Sequence, residues 1–165
     1  MPDREPTQHQ PLLSVRQINK YFPGVHALKD VTFAIAPGEV HAVIGENGAG
    51  KSTLMRILSG VHPPDSGDLT WQGEPISLTS PKEAFSLGIA MVWQDTRLVP
   101  TLDVAWNIFL GHEPGGTLLA DRHRMRTEAQ RLLDRIGSQV DPRTPAGELS
   151  RAEMQQVEIA RALSR

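Results

Sequence analysis

An α/β fold built around a strand, a glycine-rich loop and a helix, with a small antiparallel region and a helical second half, is what the 165-residue sequence predicts. Three observations carry that expectation. Residues 40–44 (Val-His-Ala-Val-Ile) are almost continuously apolar and run straight into Gly45-Glu46-Asn47-Gly48-Ala49-Gly50-Lys51-Ser52, after which Leu54, Met55 and Leu58 recur on one helical side. Apolar residues alternate over 12–21 and 31–35, with Val31, Phe33 and Ile35 set against Thr32 and Ala34, the period of a strand with one buried face. Beyond residue 94 the period becomes helical, over 103–110, 122–136 and 151–164.

In chain order, residues 1–11 are expected to be a disordered leader, because they have neither the charged-then-apolar layout of a secretory signal nor an arginine-rich transit pattern. Pro37-Gly38 turns the chain into 39–44, whose unbroken apolar character suits a parallel strand covered on both faces. The helix over 51–59 ends where Gly60 supplies the usual C-terminal glycine. Residues 68–72 and 75–78, separated by Gly73-Glu74, predict a short exposed hairpin. Ser80-Pro81-Lys82-Glu83 is a reciprocal capping arrangement that opens a helix to about Leu87, and Gly88 closes it. Residues 89–93 predict another buried strand, delivering Gln94 at its carboxyl end. The expected organisation is a core over 12–94 and a helical subdomain over 95–165.

Composition narrows the chemistry. The sequence has no cysteine, which removes disulfides, thiolate metal sites and a cysteine nucleophile. Its six histidines lack the HExxH spacing of a zinc site. Seventeen Lys and Arg against nineteen Asp and Glu leave a net charge of -2, which argues against a nucleic-acid partner held by bulk charge. No stretch approaches the ~20 apolar residues that cross a bilayer.

The loop from Gly45 to Ser52 matches GxxxxGK[ST] in full. Four residues between the outer glycines let the main chain wrap an anion with successive N–H groups pointing inward. The following helix aims its positive end at the same place. Lys51 adds a full charge that reaches β- and γ-phosphates, and the Ser52 hydroxyl is suited to the magnesium bridging them. The loop therefore predicts a nucleoside triphosphate with Mg2+, bound by Gly45, Glu46, Asn47, Gly48, Ala49, Gly50, Lys51, Ser52 and Thr53.

The run PGEVHAVIGENGAGKSTLMRILSGVHPPDSG resembles the ATP-binding cassette of ABC transporters, and NKYFPGVHALKDVTF before it resembles the cassettes of ribose- and galactose-type importers. The resemblance extends from about Leu12 to Arg165 and implies a P-loop NTPase (RecA-like) core with an antiparallel β region and an inserted α-helical subdomain, truncated at the C-terminus. It implies that Phe22 stacks on adenine, with Tyr21 the alternative ring. It implies that Gln94 is catalytic, touching magnesium together with Ser52 and the attacking water. Leu149-Ser150-Arg151-Ala152-Glu153 falls on the family signature LSGGQ, so that Ser150, Arg151 and Glu153 would face the γ-phosphate held by an opposite cassette. Ser150 and Glu153 also form a plain capping box.

The signature departs from its pattern, since Arg151 and Ala152 replace two glycines. The resemblance further implies an aspartate and a glutamate at the end of an apolar strand after the signature helix, then a histidine, and the sequence as written stops at Arg165 before any of them. Leu132-Leu133-Asp134 is read as helix surface and does not replace them. The expectation is a chain that binds ATP better than it cuts it. The implied role is coupling of ATP hydrolysis to monosaccharide import, with membrane permease subunits, a second cassette and, indirectly, a periplasmic sugar-binding protein as partners, at the cytoplasmic face of the membrane and without nucleic acid. The alternatives are a non-catalytic nucleotide-binding remnant and an ABC ATPase unconnected with transport.

Two features stand outside this frame. The basic cluster Arg122, His123, Arg124, Arg126, Arg131 and Arg135 is interspersed with Asp121, Glu128 and Asp134, the pattern of a solvated helix face. Trp106, Ile108, Phe109 and Leu110 suit either a membrane-subunit contact or the packing of the helical subdomain.

Overall fold

The computed structural model describes residues 10–93, 95–114 and 120–164. Residues 1–9 of the expected leader and Gln94 lie outside the described residues. The chain divides into two compact units at Ile89/Ala90, and each has its own core.

In the first unit, β1 (Leu13–Phe22) and β2 (Val25–Ile35) form a long antiparallel hairpin across Pro23-Gly24. β3 (Ser66–Trp71) pairs with the other edge of β1, and β4 (Glu74–Ile76) with β3, giving the antiparallel order β2-β1-β3-β4. The turn between β3 and β4 is Gln72-Gly73, both at positive φ (52° and 87°), the mirror-image geometry that matches strand twist. Val15, Ile18, Leu28 and Leu69 are buried with Leu54 and Ile57 of α1 (Lys51–Leu58); the alternation expected over 12–21 is not kept in β1, where register shifts on either side of Ile18 bury residues in runs of three. Each such aliphatic side chain contributes roughly 1.5–3 kcal/mol on burial. α2 (Pro81–Ser86) is capped by Ser80, whose Oγ accepts from the Glu83 N–H at 3.4 Å, while the Glu83 carboxylate accepts from the Thr79 N–H at 2.7 Å and from its hydroxyl, one residue before the Ser80 amide that the reciprocal arrangement would use.

The two expected parallel strands are not formed. Residues 40–44 enter no strand pairing; Val40 is 98% exposed and Ile44 92%. Residues 89–93 likewise carry no strand ladder. A parallel strand is stabilised by neighbours on its edges and by layers on both faces, and no such neighbour exists for either segment among the described residues. Apolar character alone does not make a strand. Instead, residues 40–44 hang between two anchors: Glu39, whose Oε2 accepts from the Ala36 N–H at 2.7 Å, and the Lys51 contacts described below.

In the second unit, α3 (Val104–Phe109), α4 (Arg122–Arg135) and α5 (Arg151–Leu163) pack through Val104, Ile108, Phe109, Met125, Ala129, Leu133, Val157 and Ala160. A short 3-10 turn, Ala146–Glu148, leads into α5. Met125, Ala129 and Leu133 lie at four-residue intervals, so α4 buries one stripe and leaves its charged residues outside. Asp134 is exposed and accepts from Gln130, so the Leu132-Leu133-Asp134 run is helix surface at its acid, as expected. Ile108 and Phe109 are core, and Trp106, partly buried, packs against the same cluster, so all three take part in the packing of the helical unit. Among the described residues no helix is long and apolar enough to cross a membrane.

Candidate functional site

The loop is exposed over residues 45–49, partly buried at Gly50, and leads directly into α1. Gly48 and Gly50 both sit at φ +87°, in the left-handed region. At Gly50 a Cβ would collide with the main-chain carbonyl of Ala27 and come within 2.8 Å of Leu28 Cδ2, so β2 presses against the end of the loop. Lys51 Nζ donates to the carbonyls of Gly45 and Glu46, both at 2.7 Å, folding its charge back over the loop. The loop's own main-chain bond is from the Ala49 N–H to the Glu46 carbonyl, 3.2 Å.

The start of α1 differs from that of the other described α-helices. Ser80, Asp103, Asp121 and Ser150 each cap their helix by accepting a hydrogen bond from an amide of the first turn. α1 begins at Gly50 with no side-chain cap. Its first-turn amides and positive dipole end are left for something else, and the Lys51 ammonium stands beside them. Ser52 is exposed and its hydroxyl makes no hydrogen bond among the described residues. Thr53 is half-buried in the same turn. Chemically, an uncapped helix start beside an ammonium is suited to an anion. Among the described residues no group of three or more Asp, Glu or His side chains converges, so a cation here would depend on Ser52 and on the anion's own oxygens.

Phe22 ends β1 with 37% of its surface exposed, meeting His62 edge-on at 5.8 Å between ring centroids. Tyr21 has one ring face covered by His26, stacked at 4.1 Å. The end of β1 is pinned by Asp65, which accepts from the Tyr21 N–H at 2.6 Å and from Lys20 Nζ at 3.0 Å. These two donors, the Tyr21 amide first, hold the Asp65 carboxyl below its ordinary pKa.

At α5 the capping box is complete: the Glu153 N–H donates to Ser150 Oγ (3.3 Å) and the Ser150 N–H to Glu153 Oε2 (2.7 Å). The Ser150 hydroxyl and amide lower the pKa of the Glu153 carboxyl. Arg151 and Ala152 are exposed beside it. Phe22 and residues 45–53 belong to the first unit, and Ser150, Arg151 and Glu153 to the second.

Two side chains that motif reasoning does not single out hold the segment after Gln94. Glu158, 5% exposed on the inner side of α5, accepts from the Arg97 N–H at 2.8 Å. Asn107, fully buried, accepts from the Val99 N–H at 2.7 Å and donates to the carbonyls of Val99, Leu102 and Asp103. The available signal was a carboxylate and an amide on otherwise apolar stripes, Glu158 four residues after Met154 and Asn107 beside Ile108.

The ABC transporter domain family matches residues 28–165. The ribose import ATP-binding protein RbsA 1 of Rubrobacter xylanophilus is 50% identical over 154 residues, 93% of this chain and 31% of the relative. The chain spans about a third of the length of the curated relatives it matches. Among solved structures, a nucleotide-free ATP-binding cassette from an ABC transporter superposes with a TM-score of 0.80 at 29% identity, over 94% of this chain and 65% of that one. A dimeric cassette in a post-hydrolysis state, bound to ADP and Pi, superposes with a TM-score of 0.73 at 25% identity, over 92% of this chain and 69% of that one. These likenesses bear out the expected α/β cassette fold, of which the chain carries a part.

Proposed function

Since the chain belongs to the ABC transporter family, we propose that residues 45–53 bind Mg-ATP and that, within a complete cassette pair, this binding energises monosaccharide import. The observation that carries the binding site is the start of α1, an uncapped helix N-terminus opening at a left-handed glycine with the Lys51 ammonium 2.7 Å from two loop carbonyls. Those carbonyls hold Lys51 over the loop, from which its amine exchanges carbonyl oxygens for β- and γ-phosphate oxygens. The first-turn amides of α1 take the remaining phosphate charge. Ser52 offers its hydroxyl to magnesium, which when bound neutralises charge on the phosphates. Phe22 offers a ring for adenine, and Gln94 is assigned to magnesium and the attacking water. Ser150, Arg151 and Glu153 are assigned to the γ-phosphate of a second cassette.

The sugar assignment is supported by the ribose import relative, and the pairing by the dimeric ADP-bound cassette. Permease subunits, an indirect periplasmic sugar-binding partner and a peripheral position at the cytoplasmic face follow from that assignment. Binding is assigned to these residues, and hydrolysis to a pair of cassettes.

Titration calorimetry of the chain with Mg-ATP tests the site. Lys51→Ala is expected to weaken binding at least tenfold, about 1.4 kcal/mol. Equal affinity of the two proteins would refute the role of Lys51. Gln94→Ala is expected to leave ATP binding nearly unchanged. Co-purification with a membrane protein supports the transport assignment, and co-purification with nucleic acid contradicts it.

A further inference from the structure

A cleft of about 700 Å3 lies within the second unit between α4 and residues 141–143, and its charge is strongly one-sided. Arg122, His123, Arg126 and Arg131 line it from the helix and Arg143 from the facing loop, with Asp141 the one carboxylate in the lining. Asp141 is engaged locally, because its Oδ1 accepts from the Arg143 N–H at 2.8 Å. Two of the arginines have partners: Arg126 is 3.4 Å from Asp103 Oδ2, and Arg131 is 2.9 Å from Glu128 Oε1. The side chains of Arg122 and Arg143 form no ion pair or hydrogen bond among the described residues, and they reach the same cleft from two different elements.

This arrangement exceeds what a solvated helix face requires. Like charges one helical turn apart, as Arg122 and Arg126 are, repel rather than stabilise. Arg143 adds a third positive group from across the cleft. Every permanently charged base in the lining is arginine, whose planar fork pairs two-pronged with phosphate oxygens, whereas lysine acts as a point charge. The volume exceeds a single phosphate and falls in the range of small-ligand sites.

We propose that the Arg122/Arg126/Arg143 cleft is a second anion site, distinct from residues 45–53, that binds a phosphate-bearing ligand carrying at least two negative charges. The Arg122 and Arg143 guanidiniums clamp the phosphate from opposite walls. Arg126 contributes on exchanging its long contact with Asp103. Binding weakens as ionic strength rises, because the cleft is open to screening by salt.

Pyrophosphate is the probe, titrated calorimetrically into the 165-residue chain in the Lys51→Ala background, which removes the loop site from the measurement. Adding Arg122→Gln and Arg143→Gln is expected to weaken the remaining binding at least tenfold. Arg124→Gln/Arg135→Gln, which removes the same charge from α4 outside the cleft, is expected to change it less than twofold. Equal losses in the two double variants would reduce the effect to bulk charge and overturn the site, as would an absence of binding before the cleft is altered. Sedimentation with phosphatidylglycerol vesicles separates the sources of phosphate. Co-sedimentation lost only in Arg122→Gln/Arg143→Gln assigns the cleft to a lipid headgroup; no co-sedimentation alongside cleft-dependent pyrophosphate binding assigns it to a soluble phosphate compound. Circular dichroism of each variant distinguishes a lost site from a lost fold. Because Lys51 is already altered, failure here is independent of failure of the ATP site.

Discussion

The Arg97 N–H and the Glu158 carboxylate meet at 2.8 Å inside the helical unit, so α5 directly holds the segment that follows Gln94. Glu158→Ala leaves that amide without its acceptor and is expected to destabilise the unit by about 1–3 kcal/mol. Glu158→Gln keeps an acceptor oxygen and should lose clearly less. Urea unfolding of the two variants checks this, and equal losses would show that the hydrogen bond contributes nothing of its own.

Gly50 and Gly48 share φ +87° but differ in surroundings: a Cβ at Gly48 meets open space, whereas one at Gly50 collides with the Ala27 carbonyl. Gly48→Ala should therefore cost only the ~1–2 kcal/mol of a left-handed alanine. Gly50→Ala should cost more and also move the start of α1 away from β2, weakening Mg-ATP binding. Thermal unfolding with and without nucleotide ranks the two, and a reversed order would rule out the packing argument.

Ser150→Ala removes the side-chain acceptor of the α5 capping box and should cost about 1 kcal/mol. Arg151 is exposed and makes no ion pair among the described residues, so Arg151→Ala should stay within about 0.5 kcal/mol of the parent. Denaturant midpoints decide. A large loss at Arg151 would mean that its side chain supports the fold.

Asp65 has a folded-state pKa below its ordinary value because the Tyr21 amide and Lys20 favour the carboxylate. A depressed carboxyl pKa contributes stability that is fully present above the unfolded value and is lost as pH falls through the folded one. The loss should therefore fall below about pH 4. Melting temperatures measured from pH 7 down to pH 2.5 should show Asp65→Asn less stable than the parent near neutrality, with the gap closing in acid. A gap independent of pH would assign the effect to packing rather than to ionisation.

Much of this protein was legible in its residues. The capping serine of α2, the alternation over 31–35 in β2 and the stripe of α4 each depend on contacts a few residues apart, and the structure has them where the sequence puts them, whereas the register shifts that break the alternation of β1 depend on its partner strands. The glycine spacing of the loop was equally readable, because positive φ is a local demand. Glu158 and Asn107 were harder to see: their partners, Arg97 and Val99, are identified only when distant or irregular segments come together. The cleft facing α4 needed Arg143, which belongs to a loop outside the helix where the basic pattern was visible.

The sequence by itself determined the local elements, the helix caps and the phosphate-loop motif, since each is encoded in side-chain period, main-chain torsion and short-range hydrogen bonding. Only the tertiary structure decided that residues 40–44 and 89–93 are unpaired, that β2 rather than a parallel strand backs Gly50, and that five basic side chains share one cleft. A strand is a property of a pair and a site is a property of several elements, so neither is specified by the composition of one segment alone.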